Sequence, residues 1–244
     1  MIIVDINCDV GEGINNEALL MPFISSCNIA CGAHAGDQIT IDHVIKTAQK
    51  NKVKIGAHPS FPDKKNFGRV RMDISQEKLE ASLINQISLI KNRLELAGGT
   101  LNHIKAHGAL YNLSITDNNI ANVIVNAVLK VAPKSILYAP YNSTLAKVAI
   151  ENNLNIKLEA FADRNYNDNL SLVSRTQKNA LIVDKDEVIK HILQMILQKQ
   201  VNTISGKYIP IQADTYCVHG DTTNAVELVK YIHQTLSEKG IKIA

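Results

Sequence analysis

A chain of 244 residues with 45% hydrophobic and 20% charged residues is long enough to bury a sizeable core without disulfide or metal staples. Its net charge of +3 is scattered, and no basic run is dense enough for a nucleic-acid or membrane footprint, so a small molecule is the expected ligand. No apolar stretch reaches the roughly 20 residues that span a bilayer. Cys8, Cys27, Cys31 and Cys217 lack the spacing of a disulfide framework, and Met1-Ile2-Ile3-Val4-Asp5 lacks the features of a signal peptide. Both point to a reducing, cytoplasmic setting.

Short apolar runs alternate with longer stretches of helical period, the pattern of βα units around a parallel sheet, and no linker divides residues 1–244 into domains. Strands are expected near Ile2 to Asp9, Ser26 to Cys31, Lys54 to His58, Leu101 to His107, Ile136 to Ala139, Lys157 to Ala162 and Asp214 to His219. Six or seven helices fall between and after them. One follows Ser75 as N-cap, carries Leu79, Leu83, Ile87, Ile90 and Leu94, and stops at Gly98-Gly99. Others begin near Thr116 and at Asp186, and the last runs from about Thr223 to Glu238.

Side chains alternate faces along a strand, and here the polar groups repeatedly share one parity. Asp5, Asn7 and Asp9 oppose Val4, Ile6 and Cys8; His103, Lys105 and His107 oppose Ile104 and Ala106; Glu159 and Asp163 oppose Leu158, Ala160 and Ala162; His219 and Asp221 oppose Val218 and Gly220. A doubly wound sheet covers both faces of its central strands with helices and fits this poorly. A closed barrel has an apolar outer face and can hold a polar site inside its C-terminal mouth. The expected fold is a distorted α/β barrel of about seven parallel strands.

Ionisable residues gather at the strand ends, where the loops of such a barrel build its site: Asp9, Glu12, His34, His58, His107, Asp163, Arg164, His219 and Asp221. Gly11, Gly13, Gly32, Gly36, Gly68, Gly108 and Gly220 flank them, as tight turns or as close approaches of backbone to ligand. Cys27 and Cys31 lack zinc-finger spacing and read as core thiols. Ser205-Gly206-Lys207 has no earlier glycine to complete a phosphate loop.

Six segments resemble the LamB/YcsF family in its order from first strand to last. They are Asp5 to Glu12, Asn28 to Asp37, Gly56 to Asp63 with Phe67-Gly68-Arg69, Lys105 to Asn112, Phe161 to Arg164, and Cys217 to Asp221. Ala33, Gln38, Phe61, Val70 and Ala106 depart from the family's pattern beside these polar positions, which bears on substrate selectivity. The resemblance implies a seven-stranded barrel similar to glycoside hydrolases and polysaccharide deacetylases. It also implies a 5-oxoprolinase that opens the lactam of 5-oxoproline to L-glutamate with ATP as co-substrate, working with separate B and C subunits.

Opening a lactam needs an activated water, a proton for the departing nitrogen and a stabilised oxyanion. Asp9 is the expected general base or metal-holding carboxylate, His58 and His107 the proton carriers or metal ligands, and Lys105 or His219 the oxyanion partner. Asp9, His58 and His107 are thus the candidate ligands of a divalent metal. Arg69 or Arg164 is suited to the substrate carboxylate, with Asn7, Glu12, Asn28, His34, Asp163 and Asp221 completing the substrate-binding set. Lys105 fits a buried ion pair equally well. A stand-alone deacetylase or amidase, and a carbohydrate-binding or regulatory protein, remain the alternatives.

Overall fold

Strand-length apolar runs and amphipathic helices alternate as the composition demands in the computed structural model, which describes residues 1–222 and 224–244. In chain order come β1 (Ile2–Val10), α1 (Glu17–Leu20), β2 (Ser26–Ala30), α2 (Gln38–Lys50), β3 (Lys54–His58) and α3 (Gln76–Leu96). Next are β4 (His103–Ile104), α4 (Gly108–Leu113), α5 (Asn118–Val131), β5 (Ile136–Pro140), α6 (Thr144–Glu151) and β6 (Ile156–Phe161). The last are α7 (Lys185–Leu193), β7 (Gln200–Asn202), β8 (Tyr208–Pro210), β9 (Thr215–Val218), α8 (Ala225–Glu238) and β10 (Ile241–Ile243).

Seven of the strands form a closed parallel ring in the order β1, β2, β3, β4, β5, β6, β9, with β9 returning to β1. Closure depends on the length of β1. Its first three residues pair with β10, Asp5 to Cys8 with β9, and Asn7 to Val10 with β2. The short antiparallel hairpin β7–β8 stands outside the ring. Outward residues such as Ile6, Cys8, Ile29, Ala57 and Ile104 are buried beneath the helices, and all four cysteines are free and buried. Among the described residues, no helix is long and apolar enough to cross a membrane.

Helix starts follow side-chain capping. Asp37, Ser75, Asp117, Ser143 and Asp184 each accept a hydrogen bond from a backbone N–H of the first turn of α2, α3, α5, α6 and α7. The helix expected to open at Asp186 therefore begins earlier, because the Asp184 carboxylate takes the amides of Asp186 and Glu187. Asn224 precedes the last helix, and Thr223, the expected start, lies outside the described residues. The fourth strand is shorter than the expected Leu101 to His107. Beyond Ile104 the chain stays tied to β3 through Lys105 N to Ala57 O and His107 N to Pro59 O, while its register with β5 ends at Ile104.

Two glycines are steric requirements of this arrangement. A Cβ on Gly56 would lie 2.2 Å from His103 Nε2, the nitrogen that meets Asn28 across the lumen. Gly108 has φ +57°, and its Cβ would lie 2.6 Å from the Gly68 carbonyl oxygen, where two loops of the mouth touch.

Candidate active site

The inward parity of β1, β2, β4, β6 and β9 fills the lumen with a continuous polar network. Asn7 Nδ2 donates to Glu159 Oε1 at 2.9 Å and Thr215 Oγ1 at 2.8 Å, and Asn28 Nδ2 donates to Asn7 Oδ1 and Asp9 Oδ1, each at 2.8 Å. The Lys105 ammonium sits among these groups, 3.0 Å from each of Asp9 Oδ1, Glu159 Oε1 and Cys217 Sγ. Burial alone would lower the Lys105 pKa, but the carboxylates beside it raise it well above the ordinary lysine value. Its ammonium is engaged by these groups where it meets the floor of the cleft, so Lys105 holds Asp9 in place.

Beside Lys105, His58 at the end of β3 faces His107, the residue that precedes α4. His58 Nδ1 lies 2.7 Å from the carbonyl oxygen of Lys105, and His107 Nε2 lies 2.9 Å from that of Phe67. A carbonyl only accepts, so each of these nitrogens carries its hydrogen. The remaining nitrogens, His58 Nε2 and His107 Nδ1, are 3.0 Å apart, and in two neutral rings both would present lone pairs. One further proton, or a cation, must lie among them. Asp9 Oδ2 stands 3.3 Å from His58 Nε2, and Glu12 Oε1 stands 3.3 Å from His107 Nδ1. Burial disfavours the imidazolium at His58, but the Asp9 charge outweighs it and raises the pKa; burial lowers that of His107. The Asp9 charge thus favours a proton on the His58 side of the pair.

His34 supports this cluster from the side. Its Nε2 lies 3.1 Å from Glu12 Oε1 and its Nδ1 3.0 Å from Ser60 Oγ, with its ring stacked on His107 at 3.8 Å. Burial pulls the His34 pKa down to about 4. His34 is thus neutral at physiological pH, with a single ring N–H to serve its Ser60 and Glu12 contacts.

A fourth histidine, His219, approaches the pocket from just beyond β9. Asp163 accepts His219 Nδ1–H at 2.9 Å, the His219 backbone N–H at 3.0 Å and the Thr222 hydroxyl at 2.7 Å. Burial would raise the Asp163 pKa, but His219 and these hydrogen bonds lower it. The carboxylate fixes the proton on Nδ1 and leaves Nε2 as the basic nitrogen of a ring stacked on Phe161 at 5.1 Å. At the rim, Asp221 Oδ2 accepts from Arg69 Nη2 at 2.5 Å and Arg175 Nη1 at 3.3 Å. Asp9, Glu12, His58, His107, His219, Arg69 and Arg175 all line one cleft of about 510 Å³.

The LamB/YcsF family profile matches residues 4–244 of the chain. The chain belongs to the LamB/YcsF family. A relative from Bacillus thuringiensis subsp. konkukian (strain 97-27), named as the A subunit of 5-oxoprolinase, is 40% identical over 249 residues, covering 100% of this chain and 98% of its own. One of the same name from Bacillus cereus (strain B4264) is 39% identical over 246 residues, covering 98% and 97%. The crystal structure of a lactam utilization protein from Thermus thermophilus superposes with a TM-score of 0.93 at 32% identity, covering 99% of each chain.

Within this LamB/YcsF barrel the residues singled out from sequence separate into layers. Asp9, Glu12, His58, Lys105, His107, His219, Arg69 and Arg164 line the cleft. Asn7 and Asn28 are fully buried in the network beneath it, and His34 and Asp163 stand behind Glu12 and His219. Arg164 differs most from its expected role: Nε donates to Ala180 O at 3.2 Å and Nη2 to Val173 O at 2.6 Å, so its guanidinium braces the 173–180 loop. Burial, with Arg175 nearby, pulls its pKa down to about 10. Arg175 escapes sequence reasoning because it sits on that irregular loop, away from any strand end. Glu159 has the inward parity but no strand-end position, and it proves to be a counter-ion of Lys105.

Proposed function

We propose that this chain is the A subunit of an ATP-dependent 5-oxoprolinase of the cytoplasm, opening 5-oxo-L-proline to L-glutamate. The two-sided cleft carries the reading: a histidine with a fixed basic nitrogen on one wall, and a proton-bearing histidine pair between carboxylates on the other. The relatives' name, held over the full length of the chain, supports the choice of substrate.

In this mechanism His219 Nε2 takes the proton of the attacking water, while Asp163 holds the imidazolium that forms. The proton held between His58 and His107 goes to the departing lactam nitrogen, so that the ring opens as an amine. Arg69 and Arg175 hold the substrate carboxylate at the rim, with Asp221 keeping the two guanidinium groups in place. His219 is thereby moved from the oxyanion role to that of base, and Asp9 holds the proton-bearing pair.

ATP is the co-substrate, and the incomplete Ser205-Gly206-Lys207 segment supports a nucleotide site completed by the B and C subunits. A coupled assay for glutamate and ADP tests both parts. The isolated chain is expected to form little glutamate, with turnover restored by adding B and C. Full coupled turnover by the pure chain refutes the partner requirement. Failure with both partners present, together with hydrolysis of another small amide without ATP, refutes the lactam assignment in favour of a stand-alone amidase.

A further inference from the structure

We propose that the gap bounded by His58 Nε2, His107 Nδ1, Asp9 Oδ2 and Glu12 Oε1 binds one divalent first-row transition-metal ion. The tautomers are already those of metal ligands. Each ring gives its far N–H to a backbone carbonyl, Lys105 O for His58 and Phe67 O for His107, which turns the unprotonated nitrogens toward each other. The spacings agree with a shared ion. Ligands about 2.0–2.1 Å from a tetrahedral ion stand roughly 3.3 Å apart. Here the separations are 3.0 Å between the two nitrogens, 3.3 Å from His58 Nε2 to Asp9 Oδ2, and 3.3 and 3.8 Å from Glu12 Oε1 to His107 and His58.

The cluster also selects its ligands. Donor atoms of Glu12, His34 and His107 lie within 4.8 Å of one another, but the His34 and His107 rings are stacked at 3.8 Å and 5°. Their in-plane lone pairs run parallel and cannot both point at one ion. The His58 ring lies edge-on to His107 at 86°, so those two lone pairs can converge. His34 instead orients Glu12 through its 3.1 Å contact, as an outer-shell partner does. Two imidazoles with two carboxylates suit zinc, iron or cobalt better than magnesium, which prefers oxygen donors alone. The two carboxylates match the charge of a dication, and Lys105 takes the other oxygen of Asp9. An ion held here would displace the proton between His58 and His107 and act as a Lewis acid toward a substrate carbonyl in the same cleft, and the departing nitrogen would then take its proton from the His219 imidazolium.

The inference stands apart from the lactam assignment, because ion binding is measured without substrate. Chelator-treated, dialysed protein is titrated with Co²⁺, followed by its visible absorption, and with Zn²⁺ by calorimetry. One equivalent is expected to bind, with the absorption of a low-coordinate Co²⁺ site. Glu12→Gln and His58→Gln are expected to weaken binding by more than about a hundredfold. His34→Asn, which loses only an outer-shell bond, is expected to weaken it by about 10–100-fold. His219→Gln, in the same cleft but outside the four-atom set, is expected to leave it unchanged. Circular dichroism of each variant confirms folding. Absence of saturable one-to-one binding overturns the proposal, as does binding that survives in folded Glu12→Gln or falls equally in His219→Gln.

Discussion

Replacing Lys105 by methionine separates a structural ammonium from a chemical one. Met fills similar volume but leaves the Asp9 and Glu159 carboxylates, each 3.0 Å from Nζ, without their buried cation. Breaking a buried ion pair on one side costs about 3–5 kcal/mol, a large part of the roughly 5–15 kcal/mol that holds a domain together. For a chain of this size about 1 kcal/mol moves Tm by about 2–4 °C, so a fall of roughly 6–20 °C is expected. Guanidinium and thermal unfolding followed by circular dichroism measure it. The double variant Lys105→Met/Glu159→Gln removes one of the stranded charges and is expected to be more stable than the single variant. A Lys105→Met protein within about 1 kcal/mol of wild type that has nonetheless lost turnover refutes this reasoning and returns Lys105 to the reaction.

Acid sensitivity and tautomer control give two further tests. Burial pulls the His191 pKa down to about 4, below the value of about 6.5 for the unfolded chain; its contribution is complete above pH ~6.5 and is lost as pH falls toward 4, by up to about 3 kcal/mol. Urea unfolding at pH 7 and pH 4.5 is expected to show a smaller drop in His191→Leu than in wild type, and an equal drop contradicts the assignment. His219→Gln is expected to lower kcat by about 10²–10⁴-fold. Asp163→Asn is expected to lower it comparably by releasing the His219 tautomer, so a wild-type pH–rate profile in the Asn variant counts against the base.

The ring itself was legible because parity is a local property: Asp5, Asn7 and Asp9 face one way whatever surrounds them, and a lumen is the arrangement that gathers such faces from many strands. The long helix after Ser75 was legible for the same reason, its cap and apolar spacing both lying within a few turns. What was not legible depended on distance across the fold. The shortness of β4 reflects where its pairing with β5 stops, and no residue near Ile104 signals that. Arg164 has the strand-end position of a substrate clamp, yet its guanidinium lies on the carbonyls of Val173 and Ala180. The four-atom gap likewise depends on which carbonyl meets the far side of each imidazole, which spacing along the chain does not encode.

The three-way pairing of β1 also bears on the order of folding. The hydrogen bond from Thr215 to Asp5 joins residues 210 positions apart, and the barrel cannot close until β9 is available. During synthesis β1 waits with one edge unpaired while most of the chain is made, the kind of exposed strand that invites mispairing. Pairings of such long range also slow folding. Because Asp9 and Cys217 both contact Lys105, the polar lumen is assembled by the same late event that seals the barrel. An incompletely translated chain would therefore be both adhesive and inactive, and the cell gains no activity from a chain whose last strands are missing.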